Sequence, residues 1–193
     1  AFKENRFFVL QDGFQCGKKS CWTSANDVMV LGDTISPYTS TSMGNDTVNA
    51  GGGNDFLFFN RTFDANDVVD GGAGYDTVGL LGPVYTNLVL SATSLTNVEQ
   101  FSMYSSGDAA NPNSYKLTTN DANVAAGQQL LVTGMSLLAN ETLYFDGSAE
   151  TNGRFLVFGG RGADTIIGGA GNDQLDGGGG KGMRVVYSKS EVK

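Results

Sequence analysis

The sequence contains no histidine. That absence removes the usual general base of proton-transfer enzymes and the commonest nitrogen ligand for zinc and copper. It also excludes Ser-His-Asp and Cys-His nucleophilic sites. Proline is scarce, at 3 of 193 residues, and the only cysteines are Cys16 and Cys21. Two thiols without histidine make a poor zinc site. They read as one local disulfide in an oxidising compartment, with free thiols as the alternative. Basic residues number 12 against 20 acidic ones, for a net charge of −8. An acidic chain argues against nucleic acid or an anionic membrane as main partner and favours cations. No apolar run approaches the roughly 18 residues that span a bilayer, and no signal peptide is visible. Nucleophile elbows and Walker phosphate loops are missing as well, so no catalytic site is expected.

What the chain has in excess is glycine, at 28 residues. The three-residue period of collagen is absent, and hydrophobic residues, at 40%, suffice for a core. Many glycines fall in stretches such as "GGRGADTIIGGAGNDQLDGGGG" (159–180). Aligned on their aspartates, these stretches repeat every nine residues: "TSMGNDTVN" (41–49), "AGGGNDFLF" (50–58), "TFDANDVVD" (62–70), "GGAGYDTVG" (71–79), "GGRGADTII" (159–167) and "GGAGNDQLD" (168–176). A weaker copy is "WTSANDVMV" (22–30). The sixth position is always aspartate: Asp27, Asp46, Asp55, Asp67, Asp76, Asp164 and Asp173. The eighth is always apolar: Met29, Val48, Leu57, Val69, Val78, Ile166 and Leu175. A flexible linker has no reason to keep either rule.

The spacing suggests a mechanism. Glycines at positions one, two and four permit left-handed angles and close chain approach, so a loop can turn its carbonyl oxygens inward. Position six adds a carboxylate. Positions seven to nine form a short strand whose middle, apolar residue points opposite to its neighbours and into the core. One such loop has too few oxygens for a hard cation wanting about 6–8 ligands; two loops stacked about 4.8 Å apart have enough. Calcium suits this better than magnesium, which holds its water in a tight octahedron. The candidate metal ligands are the seven aspartates and the loop glycines Gly44, Gly53, Gly71, Gly74, Gly159, Gly162, Gly168 and Gly171.

These residues resemble the GGxGxDxUx nonapeptide of RTX (repeats-in-toxin), hemolysin-type calcium-binding proteins, over about a third of the chain. The resemblance implies two nonapeptides per coil, with several calcium ions held between alternate loops. Loop 41–46 would then stack on 62–67, and 50–55 on 71–76. It further implies a secreted module that folds on calcium outside the cell and serves adhesion or assembly. The alternative is a non-catalytic accessory region of a larger secreted enzyme or toxin. Some copies depart from the pattern. Phe63 and Ala65 replace glycines, residues 59–61 are inserted, and Gly182 stands where the last copy, "GGGGKGMRV", should have aspartate. Asp70 and Asp176, at position nine, read as solvated charges.

The expected fold is all-β: a parallel β-roll or β-solenoid with calcium between its coils and irregular coils at its centre. Four regions are expected: an N-terminal cap at 1–21, a first repeat block at 22–79, a β-rich continuation without nonapeptides at 80–158, and a second block at 159–193. In the continuation, "TNLVL" (86–90), "VEQFSMY" (98–104), "SYKLT" (114–118), "QLLVT" (129–133), "TLYFD" (142–146) and "RFLVF" (154–158) read as strands. "RFFVLQDGF" (6–14) reads as a cap strand and "MRVVYSKSEVK" as the start of another strand. Ala1, in place of a start methionine, points to a processed product or a fragment. Phe56 and Phe58 flank inward Leu57 and, with Phe59, are expected on an outer face. There the N-terminal segment, a protein partner or a second copy of the chain would cover them. Sequons at Asn45, Asn60 and Asn140 read as accidents of composition.

Overall fold

The computed structural model describes the main chain of residues 7–10 and 28–32 and the whole of residues 45–187. Every strand pairing among these residues is parallel. A parallel arrangement needs a crossover between each pair, and here the crossover is the other half of a coil. One face is an eight-stranded sheet of β1 (Phe7–Leu10), β2 (Val28–Gly32), β4 (Phe56–Asn60), β6 (Thr77–Leu81), β9 (Gln100–Tyr104), β11 (Gln129–Thr133), β13 (Arg154–Phe158) and β15 (Gln174–Asp176), in that spatial order. The opposite face is divided. Strands β3 (Thr47–Asn49), β5 (Val68–Asp70) and β8 (Leu95–Thr96) form one sheet. Strands β7 (Leu88–Val89), β10 (Ser114–Thr118), β12 (Thr142–Asp146), β14 (Thr165–Ile167) and β16 (Arg184–Val186) form the other. The molecule is therefore an all-β parallel solenoid. The long sheet runs through the nonapeptide-free region without a break.

Position-eight residues point inward as the period requires. Val48, Leu57, Val69, Val78 and Ile166 are buried, and Leu175 packs against the core from a half-buried position. Strands outside the repeats obey the same two-residue alternation: Phe101 and Met103, Leu130 and Val132, and Phe155 and Val157 are buried on one face. Tyr115, Leu117, Leu143 and Phe145 meet them from the other. The rings of Phe145 and Phe155, from opposite sheets, lie 5.0 Å apart edge to face. Tyr115 carries a hydroxyl into this core, where it donates to the carbonyls of Tyr104 at 2.6 Å and Leu80 at 3.2 Å.

Two aromatic placements differ from a uniform outer patch. Phe59 is fully buried, because it follows Leu57 by two residues and so shares its inward face. Its ring meets Phe63 at 4.9 Å, and Phe63 reaches Phe101 at 6.1 Å. Phe63 replaces a loop glycine to fill the corner of a coil widened by the inserted residues. Only Phe56 and Phe58 lie on the outer face, half-buried. They stack at 6.0 Å and close with Tyr104 over Gly79, whose missing side chain leaves room for the rings. The short strand β8 has no counterpart in the sequence reading; it closes the three-stranded sheet where the opposite face divides. The cysteine pair and most of the expected N-terminal cap lie outside the described residues, although β1 does form one end of the long sheet.

These positions make a test. Phe59→Ala should cost about 3–5 kcal/mol, as truncation of a buried phenylalanine does. Phe56→Ala should cost less than half as much, both read from urea midpoints at saturating calcium. Equal costs would mean that the alternation of β4 is misplaced.

Candidate metal centre

Six main-chain N–H groups, each just before or at the start of a strand, donate to a carboxylate on the following coil. Asp46 N–H donates to Asp67 Oδ1 and Asp55 N–H to Asp76 Oδ1, each at 2.8 Å. Asp76 N–H reaches Glu99 Oε2 at 2.7 Å, and Asn113 N–H reaches Glu141 Oε1 at 3.0 Å. Leu143 N–H donates to Asp164 Oδ1 and Phe155 N–H to Asp173 Oδ1, both at 2.7 Å. In each case donor and acceptor occupy matching positions in the parallel register. The bond spans 21 residues in the first repeat block, 23 at Glu99, 28 at Glu141 and 18 at Asp173. Coils thus widen at the centre and narrow again while the contact between them is kept. Asp46 faces Asp67, and loop 50–55 faces 71–76 through Asp55 and Asp76.

Glu99 and Glu141 belong to no nonapeptide. They share a local signal with it: an acid two residues before an inward apolar residue, Phe101 and Leu143 respectively. Glu141 is fully buried and well supplied with donors. Its Oε1 accepts from the N–H of Ser106 and Asn113, and its Oε2 from that of Leu138. Burial pushes its carboxyl up, but these N–H groups and the Ser105 hydroxyl outweigh it and hold the acid down at about 2. Glu141 is a structural acid that ties an outward excursion to its coil.

The nonapeptide aspartates are held differently. Burial pushes Asp67 up to about 6, aided by the nearby Asp64 and Asp46 carboxylates and opposed by its two N–H donors. Burial likewise pushes Asp76 up to about 6, aided by Asp55, Glu99 and Asp70. Asp164 is raised by burial against the N–H groups of Leu143 and Gly160. Three aspartates spend their second oxygen inside their own loop: Asp67 Oδ2 accepts from Asp64, Asp164 Oδ2 from Gly160 and Asp173 Oδ2 from Gly169, at 2.6–2.7 Å. Asp76 Oδ2 is buried and has no hydrogen-bond donor. Glu150 Oε2, in loop 147–153 beneath the nonapeptide loop 168–173, shares that condition.

The glycines bring these loops together in two ways. Gly53 and Gly74 have φ of 122° and 149°, and a Cβ on Gly74 would collide with the carbonyl oxygen of Gly53 in the loop below. Gly162 and Gly171 lack a positive φ; what they need is close approach, since a Cβ would strike the carbonyl oxygens of Glu141 and Gly153. A Cβ on Gly159 would lie 2.5 Å from both Asp164 Oδ2 and Gly177 O. Gly71 and Gly168 sit against the Oδ2 atoms of Asp76 and Asp173. Of the expected ligands, Asp27 and Gly44 lie outside the described residues. Among the described residues no three acidic or cysteine side chains converge on one point. Carboxylates alone therefore do not complete a site, and stacked loop carbonyls must supply the remaining oxygens. An all-oxygen set with buried, mutually repelling carboxylates fits a hard divalent cation.

Residues 44–78 and 156–182 match the model of the RTX calcium-binding nonapeptide repeat, in four copies. The chain thus carries RTX calcium-binding repeats, and its parallel solenoid is the β-roll architecture such repeats form. The matched stretches contain six of the seven sixth-position aspartates and leave out the weak frame at 22–30 and the segment 79–155. Neither the curated proteins nor the solved structures gave a match.

Two predictions follow from the carboxylates. Asp67 and Asp76 bind protons more tightly folded than unfolded. Their contribution to stability is full below pH 3.8 and lost as pH rises through about 6. Metal-stripped protein should therefore melt at a higher temperature at pH 5 than at pH 7, while the stabilisation added by calcium should shrink over the same interval, as protons compete for the ligands. Glu141 has the opposite sign but loses its contribution only as pH falls from 4.5 towards about 2, outside that window. Glu141→Gln should cost about 2 kcal/mol, because it removes a charged acceptor from buried N–H groups. Urea unfolding should give the same loss with calcium and without it.

Proposed function

We propose that the nonapeptide loops hold calcium ions between successive coils, and that the chain is a secreted module which locks into its solenoid on meeting calcium outside the cell. The ligands would be Asp46, Asp55, Asp67, Asp76, Asp164 and Asp173, with the carbonyls of Gly53, Gly71, Gly74, Gly159, Gly162, Gly168 and Gly171. Asp27 and Gly44 would extend the same columns. The observation that carries this reading is the register-matched stacking of aspartate loops, which places buried carboxylates on successive coils with glycine backbone between them. Uncompensated, such an arrangement opposes folding.

The energetics suit a switch. Extracellular calcium modules bind with dissociation constants of about 10⁻⁴–10⁻³ M. At a hundredfold excess over that constant one site contributes about 2.7 kcal/mol. A few sites together rival the net stability of a whole domain, about 5–15 kcal/mol. Where calcium is scarce the repelling aspartates and the entropy of glycine keep the chain loose; where it is plentiful the coils close. No helix among the described residues is long and apolar enough to cross a membrane. The role that follows is to present a rigid surface for adhesion or assembly, with the Phe56, Phe58 and Tyr104 rings on its outer face.

Calcium titration of metal-stripped protein, followed by circular dichroism, tests the proposal. The β-signal should grow cooperatively with calcium. Asp55→Asn should shift the midpoint to higher calcium by severalfold. Asp176→Asn should leave it nearly unchanged, because Asp176 is exposed and its carboxylate accepts from Gly178 N–H at the start of the next loop. A β-spectrum indifferent to metal removal would rule out the switch.

A further inference from the structure

The acidic column does not stop where the nonapeptides stop. On the coil after loop 71–76 no glycine-rich loop follows; three residues, 97–99, stand at that corner instead. Four observations make that short segment the closing half of another site. First, Asp76 is fully buried and its Oδ2 has no hydrogen-bond donor. Second, that oxygen lies beside the segment: it is 2.8 Å from the point where a Cβ on Gly71 would be, and the carbonyl oxygen of Asn97 crowds the same point. The same pair of oxygens recurs between two glycine-rich loops, where Asp164 Oδ2 and Gly177 O each lie 2.5 Å from the corresponding point on Gly159.

Third, the difference between these two places explains the orphan. Asp164 Oδ2 takes the N–H of Gly160, whereas the equivalent N–H, that of Gly72, is drawn away to Asp70 Oδ1 at 3.1 Å. Asp70 Oδ1 also accepts from Asn97 Nδ2 at 2.8 Å, which fastens Asn97 in the left-handed conformation, with φ of 50°. Asp70 thus releases Asp76 from its own loop and fixes the residue whose carbonyl faces it. Fourth, Glu99 brings a second carboxylate to the gap. Its Oε2 lies 2.7 Å from Asp76 N, the position that Asp76 itself holds relative to Asp55.

We propose that Asp76, Asn97 and Glu99 form a divalent-cation site of the calcium class, one interval beyond the last nonapeptide of the first block. Asp76 Oδ2 and the Asn97 carbonyl are its inner ligands, Glu99 supplies the second charge, and water completes the shell. The segment 97–99 offers fewer carbonyls than a six-residue loop, so this ion is bound more weakly than those between paired nonapeptides. The site rests on the calcium reading of the nonapeptides but uses residues outside them.

The test is a crystal of the whole chain grown in calcium chloride and soaked in terbium chloride, with anomalous scattering used to locate the ions, together with calcorimetric calcium binding by the wild type and by Glu99→Gln. An anomalous peak within coordination distance of Asp76 Oδ2 and Asn97 O is expected. Glu99→Gln should weaken one ion by about tenfold or more, leaving the others in place; melting both proteins without metal separates this loss from any structural cost. Peaks between the nonapeptide loops with none at Asp76 would overturn this inference alone. Peaks at neither place would overturn it together with the reading it rests on. Unchanged binding in Glu99→Gln would remove Glu99 from the site and the proposal with it.

Discussion

The contact on which the solenoid depends is the hydrogen bond from a main-chain N–H at the corner of one coil to a carboxylate on the next. It fixes register, because only one residue per coil stands opposite each donor. It tolerates variation in coil length, because the chain between corners is free to bulge: the same bond closes an interval of 18 residues at Asp173 and 28 at Glu141. Core packing alone would not give this precision. A stripe of valine, leucine and phenylalanine slipped by two residues would still bury an apolar face, and the carboxylates make such slips costly.

A ladder of acids creates its own difficulty, since successive carboxylates stand close to one another in a poorly solvated corner. The chain meets it in two ways. At Glu141 three N–H groups converge on one carboxylate, and the acid stays ionised without further help. At Asp67 and Asp76 donors are fewer, neighbouring acids are nearer, and burial drives both towards the protonated form. Protein dipoles suffice at the first; the second must bind a proton or a metal ion. The division follows local sequence. The excursion around Ser106 and Asn113 has side chains and turns enough to orient spare N–H groups, whereas a glycine loop has only its own short backbone, much of it already bonded to the next loop.

Much of this was legible in the residues. A nine-residue period with aspartate at six and an apolar residue at eight specifies a turn, a strand and its inward face. The structure has strands at 47–49, 68–70, 165–167 and 174–176, where positions seven to nine fall. In the centre, runs such as "SYKLT" and "TLYFD" carry a two-residue alternation that survives without the motif. Phe59 departs from the expected outer patch: the three phenylalanines of "FLFF" read as one cluster, while the pleat of the strand sends the last back to the face of Leu57. Glu99 and Glu141 stand in no glycine-rich frame, so the nonapeptide pattern does not mark them. The shared feature is the acid two residues ahead of the inward apolar position, and it needs no glycine at all. Strand β8, two residues long, has no sequence signature of its own; it exists because β5 offers it an edge.

The glycines themselves hold two kinds of information that one letter conceals. In the first block Gly51, Gly53, Gly72 and Gly74 adopt left-handed or related angles, so these loops are shaped by backbone chirality. In loops 159–164 and 168–173, Gly160, Gly162, Gly169 and Gly171 have no positive φ and are required because carbonyl oxygens or side-chain carbons of the neighbouring coil occupy the space of a side chain. Chirality is a property of one loop and persists wherever the loop goes. Crowding is a property of the interval and exists only while the coils are stacked. A side chain at Gly74 strains its loop in isolation as well as in the stack, whereas one at Gly162 is harmless until the coils approach. Loops of the second kind therefore gain their constraint at the moment of stacking, when the carbonyl oxygens that crowd the glycine are also brought within reach of a shared ion.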